Sequence, residues 1–194
     1  MPVFCYHGSE PKTKMPQSRF TIRPYQTDDV DAIYDAVNES RLHVSKWMNW
    51  LTSDYSRETT EEWVKLSLSA WESGDAYEHL IVDEYSQEVV GACGLNHVNK
   101  IDLVCNLGYW ISKSYLGQGA AVEAVKQISD FAFEEIGLVR LEIVVAETNL
   151  NSQRVAEKAE AIEEGLQRAR IRIHGVSHDA RMYALINPGA KRYR

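Results

Sequence analysis

The chain has 194 residues, of which 44% are hydrophobic and 25% charged, and its formal net charge is −7. This length suits one well-buried core, because domains usually contain roughly 100–200 residues. The composition excludes wholesale disorder. Because a net negative surface repels phosphate backbones, we expect no nucleic acid among the partners.

Cysteine spacing and hydropathy further limit the class of protein to which the chain can belong. Cys5, Cys93 and Cys105 are widely spaced and include no Cys-x-x-Cys pair, so we expect neither a disulfide framework nor a metal site. No secretion signal or run of 18 apolar residues occurs in the sequence, so a cytoplasmic protein outside the membrane is expected. Residues 1–18 are predicted to be a flexible segment, 19–188 one folded domain and 189–194 a tail.

The first third of the chain alternates between strand and helix patterns. Apolar alternation predicts a strand over residues 19–25, and helical spacing predicts a helix from Thr27 and another over residues 59–72. Four tryptophans lie between these elements or on the second helix. We expect large aromatics here to fill a core, and the alternative is that some line a substrate cleft. They are Trp47, Trp50, Trp63 and Trp71.

The remaining elements predict an α+β protein. A hairpin and a third antiparallel strand precede a long amphipathic helix that ends at Gly137, and a strand, a short helix and two strands follow. The strand–helix–strand crossover adds one parallel pair to a mostly antiparallel mixed sheet flanked by helices. The predicted ranges are strands 79–83, 88–96 and 102–111, helix 118–135, strand 139–146, helix 151–159, and strands 167–173 and 179–186.

Two glycines, Gly117 and Gly119, join the third of these strands to the long helix. Glycines there allow backbone N–H groups to face an anion over the first helical turn, where the helix dipole also favours negative charge. Neither a P-loop nor a Rossmann fingerprint is present in the sequence. The loop is therefore predicted to bind the phosphates of a cofactor.

A second motif, Asn149-Leu-Asn-Ser152, follows the next strand and opens a helix. Together with the glycine loop, Gly108-Tyr-Trp-Ile111 and the tryptophan-rich stretch 45–50, it resembles the GNAT superfamily of N-acetyltransferases. The branch it is similar to includes the ribosomal-protein N-terminal (serine/alanine) acetyltransferases. The resemblance spans residues 20–186 and implies a sheet with one splayed strand pair.

The resemblance also implies acetyl-CoA as cofactor and a role for each matching residue. Backbone amides of the glycine loop would hold the pyrophosphate, strand backbone would bond the pantetheine and acetyl groups, and Ser152 would be the acid that protonates the departing thiolate. An alternative for Ser152 is a helix cap alone. The cofactor-binding residues implied are Trp110, Ile111, Gly117, Gln118, Gly119, Ala120, Ala121, Asn149 and Ser152.

The base that deprotonates the acceptor stays open in the sequence. Many relatives have a glutamate two positions before the strand glycine, where this chain has Asn106, whose amide accepts no proton at neutral pH. A water path to Glu147, His97 or His43 is the alternative. Another departure is Glu160-Ala161 in place of a Gly-Phe pair, which puts the local turn in question.

These features predict an acetyl-CoA-dependent N-acetyltransferase that acts by direct attack on a primary amine, either a protein N-terminal α-amine or a small polyamine-like molecule. Cys93 and Cys105 are expected to be buried packing residues rather than acyl carriers. The alternative function is a catalytically silent acyl-CoA-binding sensor or assembly module, because Asn106 replaces a glutamate. The resemblance makes a homodimer possible.

Overall fold

The structure is a computed structural model, and it describes residues 18–191. Cys5, nearly all of the predicted N-terminal segment and the last three residues of the predicted tail lie outside this range. The helices and strands that it contains fall between Phe20 and Ile186, within the limits predicted for the domain. In residues 18–191 no helix is long and apolar enough to span a bilayer.

The described residues form seven strands and five α-helices. The strands are β1 (Phe20–Pro24), β2 (Tyr77–Asp83), β3 (Val89–Asn99), β4 (Val104–Ile111), β5 (Arg140–Ala146), β6 (Ile162–Ile173) and β7 (Val176–Ile186). The helices are α1 (Val30–Glu39), α2 (Arg41–Val44), α3 (Arg57–Ser73), α4 (Ala120–Asp130) and α5 (Leu150–Lys158). A π-helical turn, Phe131–Glu135, extends α4.

All seven strands belong to one sheet in the order β1-β2-β3-β4-β5-β7-β6. Neighbouring strands are antiparallel except β4 and β5, which are parallel and connected through α4. The predicted α+β class, the mostly antiparallel mixed sheet and the single crossover are therefore confirmed.

Helices cover both faces of the sheet. On the α4 face, which α4 and α5 cover, Val125 and Ile128 pack among residues such as Leu141. On the α1 face, which α1 and α3 cover, a second cluster includes Val37 and Val64. The apolar stripe of the long amphipathic helix is buried as expected, and it consists of Ala121, Val125, Ile128 and Ala132. Cys93 and Cys105 are buried too. The two clusters fix the central strands from both sides.

The apolar spacing that predicts α3 does not identify its buried side. Its buried positions are Thr60, Val64 and Ser67, whereas Trp63 is 47% exposed and Leu66 is 64% exposed. The apolar residues of α3 are a poor guide to its buried side, because two of the three buried positions hold small hydroxyl residues. Thr60 tolerates burial because its hydroxyl donates to the Tyr55 hydroxyl at 2.7 Å.

The tryptophans do not fill a core either. Trp47 and Trp71 are half-buried, and Trp50 is 44% exposed, so none of the four lies fully inside. Amphipathic tryptophan side chains are well suited to such a boundary position. The expectation of a tryptophan core is therefore wrong.

The last two strands begin earlier than predicted, at Ile162 and Val176. β6 is an exposed edge strand with two register shifts, so its sequence lacks the alternation of a half-buried strand. The turn before it keeps the conformation that a glycine would favour, because Glu160 has φ +68°. The missing glycine therefore leaves the turn geometry intact at the cost of some backbone strain.

Candidate active site

The parallel strands β4 and β5 separate partway along their length. Their pairing ends at Asn106 and Glu142, although β4 stays paired with β3 up to Ile111 and β5 with β7 up to Ala146. Two strand edges therefore face each other across a gap without strand partners. Their backbone polar groups need hydrogen bonds from elsewhere, which suits an extended ligand that carries amide groups.

The backbone N–H and C=O groups of successive residues in β4 point alternately toward β3 and toward this gap. A Cβ placed on Gly91 of β3 would lie 2.2 Å from the Trp110 carbonyl oxygen, so this carbonyl points toward β3. Tyr109 and Ile111 therefore present their backbone groups to the gap. The Ile111 carbonyl already accepts a hydrogen bond from Nε2 of His43 at 2.8 Å. Of the two predicted strand residues, the structure brings the backbone of Ile111, and not the Trp110 carbonyl, to the gap.

The glycine loop lies at the end of β4, directly before α4. Gly119 has φ +93° and is the N-cap residue of α4, which lacks a side-chain cap. The first helical hydrogen bond is from Glu123 N to Gly119 O, so within residues 18–191 the N–H groups of Ala120 and Ala121 have no acceptor. A Cβ at Gly117 or Gly119 would meet nothing within 4 Å, so the loop surface is open. These donors and the helix dipole form an anion site.

Gln118 differs from its neighbours in the loop. Its backbone N–H donates to the Tyr115 carbonyl at 3.4 Å, and its side chain accepts from Nη1 of Arg19 at 2.9 Å. Arg19 also forms an ion pair with Asp83 at 2.7 Å. Gln118 thus holds the Arg19–Asp83 ion pair beside the loop.

Ser152 lies on the other side of the gap, in the first turn of α5. Its N–H donates to Oδ1 of Asn149 at 3.3 Å, so Asn149 is the helix cap and the capping alternative for Ser152 is wrong. The Ser152 hydroxyl instead lies 2.8 Å from the hydroxyl of Tyr109 on β4. The side chain of Tyr109 connects one strand edge of the gap to α5.

Tyr109 is a candidate functional residue that the sequence did not single out. Burial raises the pKa of its phenol to about 12, so the hydroxyl remains a proton donor at neutral pH. It also lies 3.0 Å from the Ser152 carbonyl oxygen, a second acceptor for its single proton. The available signal was its odd position in β4, which puts it on the same edge as Ile111.

The geometry resembles one known family, and a sequence comparison agrees. Residues 19–162 match the family model of the acetyltransferase (GNAT) domain. The chain belongs to the GNAT family. It is an N-acetyltransferase whose acetyl donor is acetyl-CoA, as the resemblance implied.

Relatives of this GNAT enzyme match over most of their length. The probable N-acetyltransferase YjcK of Bacillus subtilis (strain 168) is 28% identical over 169 residues, covering 86% of this chain and 93% of YjcK. The ribosomal-protein-serine acetyltransferase of Escherichia coli (strain K12) is 24% identical over 157 residues, covering 81% and 87%. A solved RimL ribosomal L7/L12 α-N-protein acetyltransferase in complex with coenzyme A gives a TM-score of 0.81 at 23% identity over 88% of this chain and 95% of that one. The last comparison shows a shared fold.

On the α1 face, a groove of about 700 Å³ opens beside the splayed strands of this GNAT fold. Its lining includes His97, Asn106, Glu142 and Arg170. Farther along β4, the Trp110 ring lies on the same face, 6.3 Å from that of the partly exposed Trp50. These two tryptophans fit the cleft alternative better than a core role.

The candidate bases are scattered around this region. Glu147 is exposed, 3.7 Å from Arg181, and His97 is exposed at the groove. His43 uses Nε2 for the Ile111 carbonyl, and its buried Nδ1 has no partner in the described part of the chain. Asn106 donates to Asn96 at 2.9 Å. None of these groups is an obvious base for an amine at the gap.

Proposed function

We propose that this enzyme acetylates the α-amine of a protein N-terminus by direct attack on acetyl-CoA bound between β4 and β5. One observation carries the proposal: the strand gap has the open glycine loop at one end and the Ser152 hydroxyl on its far side. An extended thioester with a diphosphate at one end matches this arrangement. The acyl group then reaches the α1 face, where the acceptor groove opens.

The residues proposed to bind acetyl-CoA follow from these positions. The loop and first helical turn hold the pyrophosphate through main-chain N–H groups, the open edge of β4 bonds the pantetheine arm, and the cap residue of α5 lies alongside it. Trp110 contributes its ring to the acceptor side instead of its carbonyl to the gap. The proposed set is Tyr109, Ile111, Gly117, Gln118, Gly119, Ala120, Ala121, Asn149 and Ser152.

Ser152 is proposed as the acid of the reaction. Its hydroxyl gives a proton to the sulfur as the C–S bond breaks, and the Tyr109 hydroxyl, 2.8 Å away, supports the charge on the serine oxygen. The contribution is modest because a thiolate with a pKa near ~8.5 is already a good leaving group.

The charges of the groove favour a peptide N-terminus over a polyamine. A polycation needs several free carboxylates, but the groove holds only two, Asp102 and Glu142; Glu142 pairs with Arg140 at 2.9 Å, and Arg170 brings a positive charge to the same groove. An α-amine has a pKa near ~8, so it is more easily deprotonated at neutral pH than a polyamine nitrogen near ~10. The names of the E. coli and RimL relatives, both acetyltransferases of ribosomal proteins, point in the same direction.

The proposal is tested by incubating the enzyme with acetyl-CoA and two acceptor sets, peptides with free N-termini and polyamines. Mass spectrometry of the products is expected to show acetyl groups on peptide α-amines. Acetylation of polyamines alone overturns the choice of acceptor. Binding of acetyl-CoA without turnover on either set instead supports the silent sensor. Sedimentation of the same sample measures whether the enzyme is a homodimer.

Ser152→Ala is expected to lower kcat about tenfold and to leave the KM for acetyl-CoA nearly unchanged, because only the proton transfer to sulfur is lost. Tyr109→Phe is expected to have a smaller effect through the same hydroxyl. In the double variant the two losses should not add, since both residues serve one proton path. Additive losses, or an unchanged rate for Ser152→Ala, would assign Ser152 to the local structure of α5.

A further inference from the structure

Glu78 of β2 places a carboxylate on the α1 face, next to the splayed part of β4. We propose that Glu78 is the general base that takes a proton from the acceptor amine, directly or through one water. The inference rests on the proposed function and adds the group that the sequence left unassigned.

The position of the carboxylate is fixed by its neighbour on β3. A Cβ at Gly94, the ladder partner of Glu78, would lie 2.0 Å from Oε2 of Glu78. The carboxylate therefore lies directly over Gly94. On the next strand, Gly94 pairs with Gly108 of β4. Since adjacent strands are about 4.8 Å apart, the carboxylate is about one strand spacing from Gly108.

Within residues 18–191, the space directly above Gly108 is open. A Cβ at Gly108 would find its nearest neighbour, Nδ2 of Asn106, only at 4.0 Å. Gly108 also lies beyond Asn106, where β4 has separated from β5. The two glycines thus leave a path along the α1 face from the Glu78 carboxylate to the open edge of β4.

The surroundings keep Glu78 unneutralised. Among residues 18–191, no side chain from α3, β3 or β4 forms an ion pair or hydrogen bond with its carboxylate. The nearby titratable groups, Tyr25 after β1 and Cys93 on β3, are neutral because burial raises both pKa values well above their usual range. His79 is also neutral, because burial lowers its pKa to about 4.

Burial raises the pKa of Glu78 to about 7. A base is most effective when its pKa lies near the working pH, so this carboxylate is both ionised in part and basic enough to accept a proton at neutral pH. Of the two carboxylates that line the groove, Glu142 pairs with Arg140 at 2.9 Å, and Asp102 accepts a hydrogen bond from Asn99 at 2.7 Å. Position and basicity together therefore favour Glu78.

The proton balance of the reaction is complete with these groups. The bound ammonium gives one proton to Glu78, and the neutral amine attacks the thioester carbonyl carbon. A C–N bond forms and the C–S bond breaks. The nitrogen loses its second proton to solvent, while the sulfur gains one from the Ser152 hydroxyl, whose oxygen is then reprotonated from solvent. Glu78 then releases its proton to solvent, and the products are the amide and coenzyme A.

The test is Glu78→Gln, which keeps the shape and removes the basic oxygen. We expect kcat/KM for a peptide acceptor to fall roughly a hundredfold, with an unchanged KM for acetyl-CoA. The wild-type kcat/KM should rise with an apparent pKa near 7 as Glu78 ionises. Glu78→Gln should lose the rising limb below pH 7. Glu62→Gln, an exposed glutamate on α3, is the matched control and should behave as wild type.

Two further variants separate a chemical role from a structural one. Gly94→Ala inserts a methyl group 2.0 Å from Oε2 of Glu78, so it should displace the carboxylate and slow the reaction while acetyl-CoA still binds. Glu78→Ala leaves space over Gly94, and added formate should restore part of its rate. A Glu78→Gln enzyme with wild-type kcat and an intact rising limb overturns the inference. If the wild-type enzyme acetylates no amine, the proposed function fails instead.

Discussion

Replacing Gly117 with valine is expected to raise the KM for acetyl-CoA roughly ten- to hundredfold, because the new side chain stands where the diphosphate meets the main-chain donors. Loss of one such charge-assisted hydrogen bond costs about 1.5–3 kcal/mol, and about 1.4 kcal/mol corresponds to a tenfold change in affinity. Initial rates at varied acetyl-CoA, followed as release of the free thiol, measure the effect.

Gly137→Val is the matched control for this substitution. Gly117 has φ +76° and Gly137 has φ +78°, and a Cβ at either glycine would meet nothing within 4 Å. The backbone strain, about 1–2 kcal/mol, should therefore be the same in both variants. Only Gly117 lies at the phosphate loop, so thermal unfolding should shift equally while the KM changes in one variant. Equal weakening of acetyl-CoA binding by both variants would contradict the phosphate role of the loop.

The geometry of the glycine loop was predictable because its signal is local. Two glycines between a strand and a helix specify positive φ angles and free N–H groups over a few consecutive residues, and the structure shows φ +76° at Gly117 and +93° at Gly119. The crossover through α4 follows from the same short segment. Local patterns of this kind need no knowledge of the rest of the fold.

Side-chain pairs between distant elements were not predictable in the same way. Tyr109 meets Ser152 across the gap, 43 positions later in the chain, only because β4 and β5 separate after Asn106. Glu78 lies over Gly94 because of the register of one hairpin, which includes a shift between Ile81 and Val82. The sequence predicted that hairpin but not its register, and a slip of one residue would move Glu78 to the other face.

The buried side of α3 was not predictable for a different reason. On α3, both possible stripes contain residues that tolerate partial burial, and the structure buries the one with Thr60 and Ser67. The exposed Trp63 and Leu66 carry more apolar surface, so counting apolar residues selects the wrong stripe. The contact between Thr60 and Tyr55 depends on the loop before the helix, and helical periodicity holds no information about it.

Glu78→Gln is expected to stabilise the folded enzyme at pH 8 by about 1–3 kcal/mol, although it slows the reaction. Burial raises the pKa of Glu78 from 4.5 to about 7, so the folded state holds this proton more tightly than the unfolded chain does. The stabilisation that the folded state gains from holding this proton is complete below pH 4.5 and is lost as the pH rises through 7. Glutamine carries no charge at any of these values and avoids the cost of a buried carboxylate.

Urea unfolding of the wild type, Glu78→Gln and Glu62→Gln at pH 5 and pH 8 measures this difference. The difference in unfolding free energy between Glu78→Gln and the wild type should be small at pH 5 and large at pH 8. Glu62→Gln should have the same unfolding free energy as the wild type at both pH values. An equal difference in unfolding free energy at the two pH values would mean that Glu78 ionises as freely as in water. Burial would then not explain how this carboxylate acts as a base near neutral pH. If this difference grows with pH and Glu78→Gln also slows the reaction, the buried charge of Glu78 destabilises the fold and is needed for catalysis.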